Sequence, residues 1–285
     1  MKINWFPGHM AKALKMMSEE VKGVDVIIYV LDSRAPFSCI NPSFIKVVGS
    51  KPIVYVLNKS DMVYSEEVSM WQKALSNKPN CKALVMNSTE SGAGKKIEIA
   101  IKELMKGKID WYLNKGAKVT LKAMIIGVPN SGKSTLANNL NGKAKAITGN
   151  KAGVTKSKQW IKVGQYLEVL DTPGTLWPNL ENNETALNLA FIGSIKEEVL
   201  DKNDLALELI NKHMKLDANS LINRYGDVVR ETALETLDAI AEFKAFKLKG
   251  GDIDYDRVCT LILNEYKSGK LTKKILDNLE CTQCL

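Results

Sequence analysis

The octapeptide Gly127-Val128-Pro129-Asn130-Ser131-Gly132-Lys133-Ser134 has the form G-x-x-x-x-G-K-S, and it constrains the chain more than any other segment. Its glycines let successive backbone N–H groups turn inward around an anion, its lysine adds positive charge, and its last hydroxyl can ligate Mg2+. The flanks agree with that use. Ala123-Met124-Ile125-Ile126 reads as a short buried strand entering the loop, and Ser134 to Leu140 reads as a helix whose N-terminus faces the phosphates. Asn130, Ser131, Gly132, Lys133, Ser134 and Thr135 are the candidate phosphate-contacting residues. A strand-loop-helix unit of this kind commits the chain to an α/β fold with a mainly parallel sheet.

Three further segments supply what a nucleotide site needs. Pro52-Ile53-Val54-Tyr55-Val56-Leu57 is an apolar run that delivers Asn58-Lys59-Ser60-Asp61 to the carboxyl end of a strand. Asp61 can accept from the N1–H and exocyclic amine of guanine, which adenine cannot offer, and the stem of Lys59 can cover the flat base. Ala83-Leu84-Val85-Met86 leads into Asn87-Ser88-Thr89, at the spacing of a loop closing over the base from its other side. Tyr166 to Leu170 delivers Asp171-Thr172-Pro173-Gly174, a D-x-x-G element that places Asp171 toward the metal through water and Gly174 toward the γ-phosphate. Between this element and the loop, Thr155 in Gly153-Val154-Thr155 is the candidate switch threonine for the Mg2+ shell, with Thr148 as competitor.

Along the chain the order is guanine motif, base-closing loop, phosphate loop, switch threonine, metal aspartate, whereas an ordinary GTPase begins with the phosphate loop. This order describes a circular permutation, which leaves the strand ends and the site unchanged. Ile97 to Leu104 would be the formerly terminal helix, followed by a joining stretch from Gly107 to Val119. The expected architecture is a permuted P-loop GTPase domain over residues 1–178, opening with a helical segment at 1–22, and a small all-helical domain over 179–285. Helical periodicity runs at Glu184 to Ile195, Asp204 to Met214, Asn219 to Tyr225, Glu231 to Phe246 and Asp254 to Lys267. Permutation makes the γ-phosphate sensor covalently continuous with that domain.

The motif order, the start Asn4-Trp5-Phe6-Pro7-Gly8-His9-Met10-Ala11-Lys12-Ala13, and Asp32-Ser33-Arg34-Ala35-Pro36 after the first strand resemble the ribosome biogenesis GTPase A family, the YlqF type. The stretch from Gly250-Gly251-Asp252 to Lys270-Leu271 is similar to that family's C-terminal end. The resemblance implies a cytoplasmic GTPase that binds GTP and GDP and attaches to a large (50S) ribosomal subunit precursor, its rRNA and proteins, when GTP-loaded, leaving after hydrolysis. It also implies that His9 acts in hydrolysis; the residues by themselves, with His9 far from every nucleotide motif, favour a structural or RNA-facing role, and the resemblance brings the two readings level.

Charge fits a nucleic-acid partner. Residues 1–179 carry 26 Lys and Arg against 13 Asp and Glu, a net +13, whereas residues 180–285 carry 14 against 19, a net −5, together the +8 of the chain. Lys143, Lys145, Lys151, Lys156, Lys158 and Lys162 crowd the switch region, where a phosphate backbone or plain solvent could face them. Cys39, Cys81, Cys259, Cys281 and Cys284 are odd in number and scattered, as in a reducing compartment. Cys281-Thr282-Gln283-Cys284 could chelate a metal or respond to oxidants, but one pair without a second points first to a frayed terminal stretch. No apolar run reaches membrane-spanning length, and Glu19 and Glu20 argue against a transit peptide at Met10 to Val21. A monomer is expected.

Hydrolysis needs an oriented water, for which Ras uses a glutamine. Here Thr175 and Leu176 follow Gly174, so intrinsic turnover should be low and the missing function supplied by another residue or by a partner. The family's pattern carries a hydrophobic residue where this chain has Thr175. Asn130 is a candidate ligand for K+, which could act as an arginine finger's charge does. An alternative to the enzyme is a binding module in which nucleotide gates RNA or protein attachment and hydrolysis is incidental. An ATPase reading survives only if Asp61 does not face the base.

Overall fold

The computed structural model describes residues 15, 17–141, 159–172, 174, 176, 183–195 and 200–284. Six strands form one sheet in the order β3-β2-β1-β4-β6-β5: β1 (Val26–Asp32), β2 (Ile53–Asn58), β3 (Cys81–Val85), β4 (Leu121–Ile126), β5 (Gln159–Val163) and β6 (Leu167–Asp171). All neighbours are parallel except β5, which runs antiparallel to β6 at the edge. The strands read from sequence appear where expected. β5, with the alternating sequence Gln-Trp-Ile-Lys-Val, was not among them, because an edge strand half open to water lacks a continuous apolar run.

Both faces of the sheet are covered, so β1 and β2 are buried along their whole length. Side chains alternate between the faces. Val26, Ile28 and Val30 of β1 join Val54 and Val56 of β2 under Ile97, Ala100 and Ile101 of α3 (Ala93–Leu104) and Leu136 and Ala137 of α5 (Lys133–Asn141). Ile27, Tyr29 and Leu31 face the other way, toward Phe44 of α1 (Pro42–Val48) and Trp71 and Leu75 of α2 (Ser65–Ser76). From the edge strand β3, α3 and then α4 (Lys106–Asn114) carry the chain back across the sheet to β4. The joining stretch is therefore largely helical, with an irregular part from Lys115 to Thr120.

After β6 come α6 (Asn183–Phe191), α7 (Lys202–Tyr225), α8 (Ala233–Phe243) and α9 (Tyr255–Lys267). α7 joins two of the expected helices across a kink at Asp217, whose backbone leaves the helical region at φ −162° and ψ 66°. Thr232 starts α8 with a reciprocal capping box to Glu235, which satisfies two otherwise orphaned N–H groups. Leu209, Ile240, Ile262 and Tyr266 from these helices belong to the same hydrophobic cluster as Tyr29 and Trp71.

The segment after α9 returns along the α1–α2 side. Lys273 O accepts from Tyr64 N at 2.9 Å, Leu276 N donates to Arg34 O at 2.8 Å, and Asp277 accepts from Ser38 Oγ at 2.5 Å and Asn188 Nδ2 at 2.8 Å. Burial pushes the Asp277 carboxyl up, against the lowering effect of the Ser38 and Asn188 hydrogen bonds. The stretch from Cys281 to Cys284, expected to fray, belongs to a 3-10 turn at Leu279–Cys284, and the Thr282 carbonyl accepts from Lys78 Nζ at 3.2 Å.

Within α7, His213 is buried against the Tyr266 ring, with Ser220 Oγ 3.4 Å from Nδ1. Burial pulls its pKa down to about 4, with Asp217 opposing the shift and Lys212 adding to it. The depressed value means the folded protein holds His213 neutral. Its contribution is complete above the unfolded pKa of roughly 6.5 and is lost as pH falls toward the folded value, amounting to about 3 kcal/mol. We expect the melting temperature to fall more steeply between these limits in the wild type than in His213→Gln; parallel declines in a pH series of thermal melts would contradict this.

Candidate functional site

Five strand ends meet along the carboxyl edge of the sheet, and each carries one of the motifs. β3 leads to Asn87 and Ser88, β2 ends at Asn58, β1 ends at Asp32, β4 runs into Gly127, and β6 ends at Asp171. Register brings Asp32 level with Asn58 across β1 and β2. A crevice at such an edge is where open α/β sheets bind ligands.

Asn58 draws three loops together. Its Nδ2 donates to Ser131 O at 2.7 Å, and its Oδ1 accepts from Ser88 N at 2.8 Å, both buried. One amide thus fixes the guanine motif, the phosphate loop and the base-closing loop. Asn139 of α5 reinforces the third, donating to Glu90 O at 2.7 Å and to Ser88 O at 3.3 Å. Lys59 adopts the left-handed conformation, φ 58° and ψ 38°, and its Nζ donates to Asn130 O at 2.8 Å and Asp32 Oδ2 at 2.7 Å. Asn130 is itself left-handed at φ 59°. Non-glycine residues in that region cost energy and concentrate at functional sites, and here two are joined by one hydrogen bond. Ser60 and Asp61 form the 3-10 turn that follows; Asp61 is exposed, with no ion pair to a described residue.

The loop glycines are required by contact. A Cβ at Gly127 would overlap Val30 O, and at Gly132, with φ 97°, it would overlap Asn58 Nδ2. Gly174 lies against the loop so closely that its Cβ would meet Lys133 Nζ at 2.7 Å and Pro129 Cα at 2.8 Å. The structure therefore brings the D-x-x-G glycine to the phosphate-loop lysine.

Lys133 Nζ donates to Val128 O at 2.6 Å within the loop. Burial lowers its pKa to about 8, while the nearby Asp171 carboxylate works in the opposite direction. Asp171 is buried; desolvation raises its carboxyl, and Lys133 and the Thr172 backbone amide oppose the rise. Its Oδ1, Ser88 Oγ and Ser131 Oγ are buried without hydrogen-bond partners among the described residues. Ser134 and Thr135 begin α5 beside Lys133. An orphaned carboxylate oxygen and a serine at a helix N-terminus are a donor set that suits a hard divalent cation.

Two connections were not legible in the motifs. Asn130 Nδ2 donates to Gly193 O at 2.6 Å, and Ser194 Oγ donates to Pro129 O at 2.8 Å, so the turn after α6 is bonded directly to the phosphate loop. Asp32 was singled out only as part of a family pattern, yet it holds Lys59 in place. A signal existed in sequence: an acidic residue closing an otherwise apolar strand has to meet a cation. His9, Thr148, Thr155, Thr175 and Lys143, Lys145, Lys151, Lys156 and Lys158 lie outside the described residues. Lys162 lies on the exposed edge strand β5.

A family profile described as "50S ribosome-binding GTPase" matches residues 122–240, starting at β4 and so leaving out the guanine motif upstream. The Bacillus cereus protein named ribosome biogenesis GTPase A is 39% identical over 282 residues, covering 98% of this chain and 95% of its own length. The protein of the same name from Bacillus pumilus is 37% identical over 273 residues, covering 95% and 96%. A mouse protein named mitochondrial ribosome-associated GTPase 1 is 30% identical over 297 residues, covering 96% and 88%. Among solved structures, GNP-bound YlqF from T. maritima superposes with a TM-score of 0.62 at 21% identity over 93% of this chain and 97% of that one, sharing the fold.

Gly132→Ala should weaken binding of a fluorescent guanine nucleotide by roughly tenfold or more, because the added methyl must displace the Asn58 amide from Ser131 O. Titration with wild-type affinity would show that Asn58 does not organise the site.

Proposed function

Because the chain belongs to the ribosome biogenesis GTPase A family, it is a GTPase, and we propose that it acts as a nucleotide-gated assembly factor for the large ribosomal subunit. In this reading the GTP-loaded protein binds precursor rRNA and ribosomal proteins and leaves after hydrolysis. The observation that supports it most is the joining of Asn58 and Lys59 to Ser131 and Asn130, which ties the N-K-S-D segment to the G-x-x-x-x-G-K-S loop at the carboxyl edge of the sheet.

Asn58, Lys59, Ser60 and Asp61 would hold the guanine edge, with Asn87 and Ser88 closing over it. Asn130, Ser131, Gly132, Lys133, Ser134, Thr135 and Gly174 would surround the phosphates. Mg2+ would be held by Ser134, by Asp171 through water, and by Thr155 in the triphosphate state; bound there, it neutralises charge on the transferring phosphoryl group. The orphaned Asp171 Oδ1 supports this assignment. A K+ ion at Asn130 belongs to the same proposal, and would use the amide oxygen while the nitrogen stays on Gly193 O. Residues 1–178 would form the GTPase part and 179–285 the docking part, in the cytoplasm and as a monomer. The described residues contain no helix long and apolar enough to cross a membrane.

The guanine assignment turns on Asp61. Asp61→Asn should lose GTP affinity by roughly tenfold or more while xanthosine triphosphate gains, since the amide inverts one donor–acceptor pair. An unaltered preference would favour the ATPase reading instead.

The ribosomal assignment turns on stimulated turnover. Large subunits should co-sediment with the protein in a non-hydrolysable GTP analogue more than in GDP, and should raise its GTP turnover. His9→Ala should lower that stimulated rate about tenfold or more with little change in GTP affinity, the size expected of one proton-transfer or water-orienting group. State-dependent sedimentation without stimulated turnover would leave the binding-module reading, and state-independent sedimentation would defeat both.

A further inference from the structure

Arg34 is buried to 2% exposure and heads the fully buried side chains by size. A guanidinium in that position has to be paired and fully hydrogen-bonded. Its fork grips Asp32, with Nε 2.9 Å from Oδ1 and Nη2 2.7 Å from Oδ2. Its Nη1 donates to Lys267 O at 3.1 Å and Tyr266 O at 3.3 Å, the last carbonyls of α9, and Nη2 reaches Ile192 O at 3.5 Å. The charge sits where the negative end of a helix dipole favours a cation.

Asp32 Oδ2 also accepts from Lys59 Nζ, the group that binds Asn130 O in the phosphate loop. A continuous chain of contacts therefore runs from phosphate loop to Lys59, Asp32, Arg34 and the C-terminal end of α9. The turn at Ile192 to Ser194 closes the circuit, since it receives Arg34 at one end and holds Asn130 and Pro129 at the other.

We propose that Asp32 and Arg34 are positioning residues that hold Lys59 against the phosphate loop only while the C-terminal end of α9 is seated, so that the seating of the helical region sets guanine-nucleotide affinity. This rests on the guanine-nucleotide reading of the crevice. Linkage makes the effect reciprocal: bound nucleotide must seat α9 more firmly, and a partner that pulls on α9 must weaken nucleotide binding.

The test uses the full chain, a fluorescent GDP analogue, and hydrogen exchange at the Ser268, Gly269 and Lys270 amides, which bond back to Asn264, Tyr266 and Glu265 carbonyls. In the wild type, saturating GDP should slow these amides by roughly threefold or more. Asp32→Asn should weaken GDP by about tenfold or more, because Lys59 loses its anchor. Arg34→Lys keeps a cation beside Asp32 but lacks the second nitrogen, Nη1, that bonds the Tyr266 and Lys267 carbonyls, so at saturating GDP the slowing should vanish. If a single variant does not fold, Asp32→Asn/Arg34→Gln removes both buried charges together and carries the same two expectations.

A purely structural pair would lower the melting temperature in these variants while α9 still responded to GDP, and that result overturns the proposal. So does Asp32→Asn binding GDP as the wild type does. A wild-type chain that binds no GDP would overturn the guanine reading itself, and this inference with it.

Discussion

The side-chain amide of Asn58 is the interaction on which the site depends. It carries one donor group and one acceptor, and it uses them on two different loops, Ser131 O and Ser88 N, at 2.7 and 2.8 Å. Both bonds are buried, where an unmade partner costs roughly 1–3 kcal/mol, so the three loops hold each other in one arrangement. Gly132 is glycine because that amide lies where a side chain would be. Lys59, one residue on, repeats the stitch at Asn130 O.

Below this layer lies a buried ion pair. Asp32 and Arg34 are almost completely excluded from water, and the two cations around Asp32 hold its carboxyl well below the usual carboxylate range, against the burial that would raise it. Such a pair adds little net stability, yet removing one partner strands a charge at a cost of roughly 3–5 kcal/mol. Its value here lies in geometry. Arg34 reaches carbonyls more than 200 residues away in sequence at the end of α9, so the sheet edge that bears the nucleotide motifs and the C-terminal helices share one charge network.

Sequence reading succeeded where a residue's requirement is local. The phosphate loop, the strand before it and the helix after it are specified by glycine geometry and by apolar runs within about twenty residues. Strands β1 and β2 were legible because helices cover both faces, which keeps them apolar up to their last residues, and β4 and β6 were legible from the apolar runs after Lys122 and Glu168. β5 escaped because one side of it meets water. The Asp217 kink in α7 was visible as a break in periodicity between two helical stretches. The return of residues 268–279 along α1 and α2 was not, because its anchors, Glu67 to Lys274 and Ser38 to Asp277, are polar pairs far apart in the chain.

By itself the sequence determined the inventory: a G-x-x-x-x-G-K-S loop, an Asn58-Lys59-Ser60-Asp61 segment, a D-x-x-G element, their permuted order, and a helical region behind them. Those follow from short segments whose chemistry is complete in itself. Tertiary structure alone decided that Asp32 anchors Lys59, that Asn130 and Pro129 are tied to the turn after α6, and that Arg34 caps α9. The reason is physical. A hydrogen-bond donor can be read from a sequence, but the acceptor it finds depends on which distant backbone the fold brings within about 3 Å of it.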